Sequence, residues 1–138
     1  MNVLREDLKR YVPRGAESRG PEYCFRVLAT VLLHPGWHAI LNFRLAQGLR
    51  KIGLHPLAWL LYRCNMHLFS IDIHPAVSLG PGAWLPHPFG IVIARDARIG
   101  AMATIYQNVT VGGRGTPPVI GAGVVVGAGG CVLGPAVL

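Results

Sequence analysis

The second half of this sequence repeats every six residues, and that period restricts the fold more than any other feature. Ten hexads run from residue 73 to residue 137, interrupted by a two-residue slip at 91–92 and a short insertion at 117–119. Every hexad opens with Ile, Leu or Val, and most have a small or β-branched residue in fifth place. The opening residues are Ile73, Leu79, Leu85, Ile93, Ile99, Ile105, Val111, Ile120, Val126 and Val132.

A six-residue period excludes the two ordinary elements, because a helix repeats about every 3.6 residues and a lone strand about every two. It fits a coil with three short flat sides, in which each hexad forms one side and about eighteen residues complete one coil. The first residue of each hexad then points inward, the small fifth residue lies near a corner, and stacked coils hydrogen-bond as parallel strands. The repeat therefore predicts the hexapeptide form of a β-helix.

The first half of the chain has the period of helices. Between residues 37 and 52 the apolar side chains lie on one helix face, which begins after a Pro-Gly pair and ends at Gly53. A second helix is predicted from about residue 56 to residue 69, and the charged N-terminus is typical of a short amphipathic helix. The predicted buried side of the second helix holds Leu57, Leu60, Leu61, Cys64 and Leu68.

The two periods together predict an α+β chain with two parts. Residues 1–70 form an N-terminal helical segment, and residues 71–138 form the parallel β-helix domain. Because the sequence stops at Leu138, where a new hexad opens, we expect a fragment or a protein shortened at its C-terminus.

Composition and charge exclude several classes of protein. With 138 residues, 51% of them hydrophobic, the chain can form about one domain with a core. Residues 1–70 carry ten of the 13 Lys and Arg residues, but these are spread over several segments, unlike a nucleic-acid-binding helix. Solvated helix faces, an anionic ligand or a membrane surface are the alternatives for this charge. No signal peptide is visible and the longest apolar run is interrupted at its centre, so we expect a cytoplasmic protein without a membrane span.

Neither a disulfide framework nor a metal site is indicated. The three cysteines are odd in number and form no CxxC pair, as expected for reduced thiols. His34 and His38 have the spacing of a helical metal pair, but a proline and a glycine lie between them and no HExxH glutamate is present.

Five segments resemble successive landmarks of bacterial serine acetyltransferases, which belong to the hexapeptide-repeat acyltransferases. They are HPGWHAILNFRLAQGL, DIHPAVSLGPG, LPHPFGIVI, TIYQNVTVGG and IGAGVVVGAGGCVLG, and they cover roughly residues 30–134. The resemblance implies transfer of an acetyl group from acetyl-CoA to L-serine, a step of cysteine biosynthesis. It also implies a left-handed β-helix, a homotrimer whose pairing into a dimer of trimers is left open, and acetyl-CoA bound in the groove between subunits.

His87 is the candidate general base. Acyl transfer to an alcohol requires removal of the hydroxyl proton, and a neutral imidazole with the usual pKa of about 6.5 is suited to that task. By the resemblance, His87 matches the family's catalytic histidine and Asp72 its acidic partner. Asp72 precedes His87 by fifteen residues, slightly less than one coil, so we expect the carboxylate on the adjoining layer, where it would orient the ring. A structural His87, and an Asp72 that caps the turn into the first coil, are the competing interpretations.

Two glycine-rich stretches, residues 111–115 and 126–130, are the candidate cofactor site. They lack side chains where a thin pantetheine arm could run against the backbone. By the resemblance, the CoA-binding positions are Gly112, Gly113, Ala128 and Gly129. Arg114 is the candidate for a substrate carboxylate or a CoA phosphate. Glycines that only turn corners, and a solvated arginine, are the alternatives.

The acceptor alcohol is the part that the sequence determines least. The family carries an aspartate before its catalytic histidine and an Arg-His pair before the hexads resume, and these residues hold serine. This sequence has Pro86 and Thr116-Pro117 there, and only Glu22 lies near the place of a further family acid in the helical segment. Serine O-acetyltransferase is the predicted function. A sugar hydroxyl in polysaccharide or secondary-metabolite biosynthesis is the first alternative acceptor, and a non-catalytic trimeric scaffold for a partner enzyme is the second alternative function.

Overall fold

Four helices make up the first half of the fold. A computed structural model of the chain describes residues 2–12 and 20–138. The helices are α1 (Val3–Tyr11), α2 (Pro21–Leu33), α3 (Pro35–Lys51) and α4 (His55–Phe69). α3 and α4 correspond to the two helices predicted from the apolar spacing, and α1 to the predicted amphipathic helix.

His34 separates α2 from α3 and caps the second of them. Its extended backbone (φ −85°, ψ 111°) ends α2, and its Nδ1 accepts a hydrogen bond of 3.2 Å from the Gly36 amide at the start of α3. Pro35 suits the first turn of α3 because an amide there would have no helical partner. The two helices consequently meet at a bend of 70°.

The helices in residues 2–12 and 20–138 differ in length and apolar character from a membrane span. None of them alone is long and apolar enough to cross a bilayer, although α2 and α3 pass by length and composition when counted together as a bent pair.

The buried face of α4 differs from the prediction. Leu57, Leu60 and Leu68 are exposed, whereas Ala58, Tyr62 and Asn65 are buried. Two side-chain hydrogen bonds explain why α4 buries a different face. The Asn65 side chain donates to the Ala39 carbonyl in α3 at 3.0 Å, and the Tyr62 hydroxyl donates to Asp72 in the first strand. Forming these two hydrogen bonds stabilises this orientation of α4 more than burial of its leucines would, so the leucines stay at the surface.

Nine short strands between residues 72 and 133 form three parallel sheets. The strands are β1 (Asp72–Ile73), β2 (Ser78–Leu79), β3 (Val92–Ile93), β4 (Arg98–Ile99), β5 (Thr104–Ile105), β6 (Thr110–Gly112), β7 (Val119–Ile120), β8 (Val125–Val126) and β9 (Cys131–Leu133). Sheet A has the order β1-β3-β6-β9, sheet B the order β2-β4-β7, and sheet C pairs β5 with β8 and is extended by a bridge between Trp84 and Thr104. The chain therefore visits sheets A, B and C in rotation.

The six-residue repeat determines which side chains face the core. The first residues of all ten hexads are buried, and none of them is more than 7% exposed. In sheet A, Ile73 pairs with Ile93, Ile93 with Val111 and Val111 with Val132, so that successive circuits take 20, 18 and 21 residues. The slip and the insertion account for the two longer circuits. The inward positions and the parallel stacking of hexads are as predicted.

A buried ion pair joins the helical half to the strands. The Asp7 carboxylate is fully buried and accepts hydrogen bonds from the Arg44 guanidinium at 2.9 and 3.3 Å and from the amides of Gly82 and Ala83 at 2.7 and 3.1 Å. Arg44 also donates to two backbone carbonyl oxygens at the end of β2, at 2.8 and 2.7 Å. Every strong donor and acceptor of the pair thus has a partner, as a buried pair requires.

Candidate active site

His87 lies in the turn by which the chain passes from sheet C to sheet A. Two prolines flank it, of which Pro88 is buried, whereas His87 itself is exposed. The His87 carbonyl accepts a hydrogen bond from the Phe89 amide at 2.8 Å, and the Gly90 amide donates to the Ser70 carbonyl at 3.0 Å. These two bonds fix the backbone of the turn that carries His87. The predicted base is therefore outside the core and accessible to a substrate.

Two other rings lie near His87. The ring of Tyr106, which follows β5 on the next circuit, has its centroid 6.5 Å from that of His87. His34 is close enough that the charge of His87 helps to lower the pKa of His34, after the larger effects of burial and of His38. Because the Nδ1 atom of His34 accepts from Gly36, its neutral ring carries the proton on Nε2.

Asp72 is held by a tyrosine of α4. The Tyr62 hydroxyl donates a hydrogen bond of 2.5 Å to the Asp72 carboxylate. Tyr62 is buried and Asp72 is half-buried at the start of β1. Burial raises the pKa of Tyr62 to about 12, with a further contribution from the Asp72 carboxylate. The tyrosine therefore remains a hydrogen-bond donor throughout the neutral range of pH.

Asp72 and His87 are not directly joined. No hydrogen bond or ion pair connects the two side chains, both of which belong to the part of the chain that the structure describes. Asp72 pairs with Val92, so this circuit takes 20 residues rather than 18. His87 therefore lies in the turn that precedes Val92, not in the strand beside Asp72. The orientation of His87 by Asp72 stays a prediction, and Tyr62 is the partner that the sequence did not indicate.

The candidate cofactor residues form two groups at opposite ends of sheet A. Gly112 ends β6, and Gly113 and Arg114 follow it where the chain leaves the sheet. Ala128 and Gly129 lie in the turn that leads into β9. All of these residues are exposed except Gly112, which is buried. Within one chain, the length of a strand separates the two groups.

Contacts between circuits account for two of these glycines. A Cβ atom at Gly112 would come within 2.9 Å of the Ala94 Cβ, and one at Gly113 within 3.0 Å of the Gly134 amide nitrogen. Gly129 has a φ of +70°, which favours glycine, but its surroundings are open. Close stacking therefore requires glycine at 112 and 113 whether or not a ligand binds, while the space beside Gly129 is free.

Known proteins similar to this chain share one name. A serine acetyltransferase of Helicobacter pylori is 41% identical over 109 residues, which cover 75% of this chain and 64% of that protein. A serine acetyltransferase of Brucella abortus, solved in complex with coenzyme A, is 35% identical, with a TM-score of 0.83 over 99% of this chain and 54% of that chain. A serine acetyltransferase of Neisseria gonorrhoeae, solved in complex with serine, is 32% identical, with a TM-score of 0.78 over 94% of this chain and 52% of that chain.

The chain belongs to the serine acetyltransferase family. The family predicted from the sequence landmarks is therefore confirmed. The chain spans 64% of the length of the Helicobacter pylori relative and about half of the two serine acetyltransferase structures. A scan against models of protein families finds no match.

Two residues that bear on the acceptor lie near the candidate site of this serine acetyltransferase family member. Pro86 is half-buried beside His87, and Thr116 is exposed in the loop after Arg114. That these two positions replace residues with which the family holds serine stays a prediction from the resemblance. Among the residues described, no group of three or more His, Cys, Asp and Glu side chains could hold a metal ion. Sequence reasoning missed Tyr62 as a site residue because the leucine spacing of α4 placed it off the buried face.

Proposed function

We propose that this chain is an acetyl-CoA-dependent serine O-acetyltransferase, which converts L-serine and acetyl-CoA to O-acetylserine and CoA. The exposure of His87, which the resemblance matches to the family's catalytic histidine, is the observation that carries this proposal. Family membership supports it, as do relatives solved with coenzyme A and with serine. A cytoplasmic location, where acetyl-CoA is available, is part of the same proposal.

His87 acts as the general base of the reaction. Its neutral imidazole accepts the proton of the serine hydroxyl as the oxygen attacks the thioester carbonyl carbon. The tetrahedral intermediate then collapses by breaking the carbon–sulfur bond, and the imidazolium returns the proton to the departing sulfur of CoA. The histidine is regenerated, and one acetyl group has moved from sulfur to oxygen.

Asp72 is the positioning residue for this step. A carboxylate beside the ring stabilises the imidazolium that forms and holds the tautomer that can accept the proton. The Tyr62 hydrogen bond fixes the carboxylate at the edge of sheet A next to the turn of His87. We propose that substrate binding brings His87 within reach of this carboxylate, because hydrogen bonds of this kind are often long before substrate is present.

Acetyl-CoA binds in a groove between copies of a left-handed β-helix that assembles as a homotrimer. Gly113 and Arg114 of one copy would face Ala128 and Gly129 of the next, since in one chain these groups lie at opposite ends of sheet A. Arg114 would bind a CoA phosphate or the serine carboxylate.

Substitution of His87 tests the proposal. We expect His87→Ala to lower the rate of CoA release from acetyl-CoA and L-serine by about 10² to 10⁴-fold, because the general base is lost. The rate is followed by a thiol reagent, and circular dichroism checks that the fold is kept. His67→Ala is the matched control, since His67 is exposed on α4 and bonds only within its own helix. A variant that lacks His87 and turns over at the wild-type rate would remove the proposal.

A sugar hydroxyl is the second candidate acceptor. The observation that favours it is the departure at Pro86 and Thr116-Pro117, where the family's serine-holding residues are replaced. The same chemistry at His87 would serve either alcohol. CoA release measured with L-serine, N-acetylglucosamine and galactose at equal concentrations separates the two: a clear preference for L-serine excludes the sugar, and His87-dependent release with a sugar alone excludes serine.

A further inference from the structure

A cavity of about 460 Å³ opens at the end of β1 that lies away from His87. Its volume is typical of sites for small molecules. None of the residues proposed for catalysis or for CoA binding lines it. We call it the Trp59 cavity; its lining residues are Arg50, His55, Pro56, Ala58, Trp59 and His74.

One wall of the Trp59 cavity is aromatic. The Trp59 ring stacks on the Tyr62 ring, with centroids 4.8 Å apart and an interplanar angle of 7°. The His74 ring meets both with its edge, at 6.1 and 5.8 Å. Trp59 is nevertheless 54% exposed, so much of the indole is free to contact a ligand. A fixed indole of this kind offers a flat apolar surface for a planar ring.

The lining of the Trp59 cavity also carries positive charge. Arg50 is half-buried, and its guanidinium makes no hydrogen bond or ion pair with any residue that the structure describes. Burial, and then the charges of Arg95 and Arg50, lower the pKa of His74; the two nearby aspartates have smaller effects. His74 accepts from the Ala76 amide through Nδ1 at 3.0 Å, so its neutral ring presents an Nε2 proton as a donor.

The start of α4 adds to the positive potential. His55 and Pro56 form the first helical residues, and no side chain caps this end by a hydrogen bond. Helix N-termini favour negative charge because their first amides have no helical partner. An unpaired guanidinium, a histidine donor and an open helix start therefore surround the same space, and no carboxylate lines it.

We propose that the Trp59 cavity binds a small planar ligand that carries a phosphate or carboxylate group. The Arg50 guanidinium pairs with the anion, and the Trp59 indole stacks on the ring. Arginine suits this role because its planar fork matches both anions. The cavity shares no lining residue with the proposed acyl-transfer site, and its proposed ligand does not depend on that activity.

Binding of phenyl phosphate and of benzoate to the full chain tests the proposal. We expect a saturable change of tryptophan fluorescence with at least one of them. Inorganic phosphate, which lacks the ring, and benzyl alcohol, which lacks the anion, are expected to bind at least about tenfold more weakly, as loss of one main contact implies. The tighter of the two probes identifies the anion that the cavity prefers.

Variants of the chain complete the test. Arg50→Gln is expected to weaken probe binding at least about tenfold, while Arg63→Gln, an exposed arginine of α4 outside the cavity, leaves it within about twofold. Trp59→Phe is expected to abolish the fluorescence change and to weaken binding measured by calorimetry. Circular dichroism checks each fold. The absence of saturable binding at about 10 mM probe, or equal effects of the two arginine variants, would overturn the proposal.

Discussion

Among single residues, Tyr62 has the clearest connection to the proposed chemistry. Its hydroxyl donates a hydrogen bond of 2.5 Å to Asp72, and the face of its ring stacks on the Trp59 ring. Hydrogen bonds to an ionised carboxylate are shorter and stronger than those between neutral groups. Tyr62 therefore restricts the orientation of the Asp72 carboxylate. Through the carboxylate it also determines where a protonated His87 ring would be stabilised.

Removal of the Tyr62 hydroxyl tests this role. We expect Tyr62→Phe to lower kcat about tenfold while KM for serine and for acetyl-CoA stays within about twofold, because the lost bond acts on the charged transition state rather than on substrate binding. Steady-state CoA release measures both constants. Tyr23→Phe, a partly exposed tyrosine of α2, is the control. If Tyr62→Phe also lowers kcat about tenfold in a chain that already carries Asp72→Asn, Tyr62 does not act through Asp72.

The same variant has a pH-dependent effect on stability. The folded-state pKa of Tyr62 is raised to about 12 from the ordinary value of 10.0, mainly by burial. The folded form keeps the proton where the unfolded chain loses it, so the stabilisation is full below about pH 10 and is lost as pH rises toward 12. Urea unfolding at pH 9 and pH 11 should show a smaller loss of stability for Tyr62→Phe than for wild type. An equal loss of stability between pH 9 and pH 11 in the two proteins would contradict the raised pKa of Tyr62.

At the scale of elements, the strands were predictable and the helix contacts were not. The residue that points inward is determined by its position within its own hexad, and all ten first positions are buried as this rule predicts. The face that α4 buries depends on Asn65 and Tyr62 finding partners in α3 and β1, which are far apart in sequence. Asp7 gave no sequence signal of burial either, because its partners lie 37 to 76 residues away.

The Asp7–Arg44 pair is the element-scale contact whose loss should cost most. Removing Asp7 leaves a guanidinium that is only 7% exposed without its counter-charge and two strand-region amides without an acceptor. A broken buried pair of this kind costs about 3–5 kcal/mol. We expect this loss in the free energy of unfolding of Asp7→Ala, measured by urea denaturation.

Glu6 supplies the matched control for this prediction. It precedes Asp7 in α1 and pairs with Lys9 at 2.8 Å, but the lysine of that pair is 54% exposed. Exposed pairs contribute about 0–1 kcal/mol because water screens them. Glu6→Ala should therefore change stability by no more than that amount, and a comparable loss in both variants would show that α1, rather than the buried pair, is responsible.

At the scale of the whole molecule, one chain presents only parts of the proposed site. The two groups of candidate CoA residues are separated by the length of a strand. Sheet A also exposes apolar side chains, among them Val92 in β3 and Leu133 in β9, which are 39% and 55% exposed. Apolar side chains on a flat parallel sheet are typical of a surface that another molecule covers. A neighbouring copy would bury these residues and bring the second group of glycines to the first.

Assembly and activity should therefore rise and fall together. We expect sedimentation velocity to give a species of three times the 14.8 kDa chain mass, and CoA release per chain to decline on dilution in step with loss of that species. Leu133→Asp should abolish both, because a carboxylate cannot be buried unpaired at an interface. Leu32→Asp, at an equally exposed position of α2, should leave both unchanged. A chain that sediments as a monomer and retains full turnover would show that the groove is formed within one copy, and that the glycines at 113 and 129 do not share one CoA molecule.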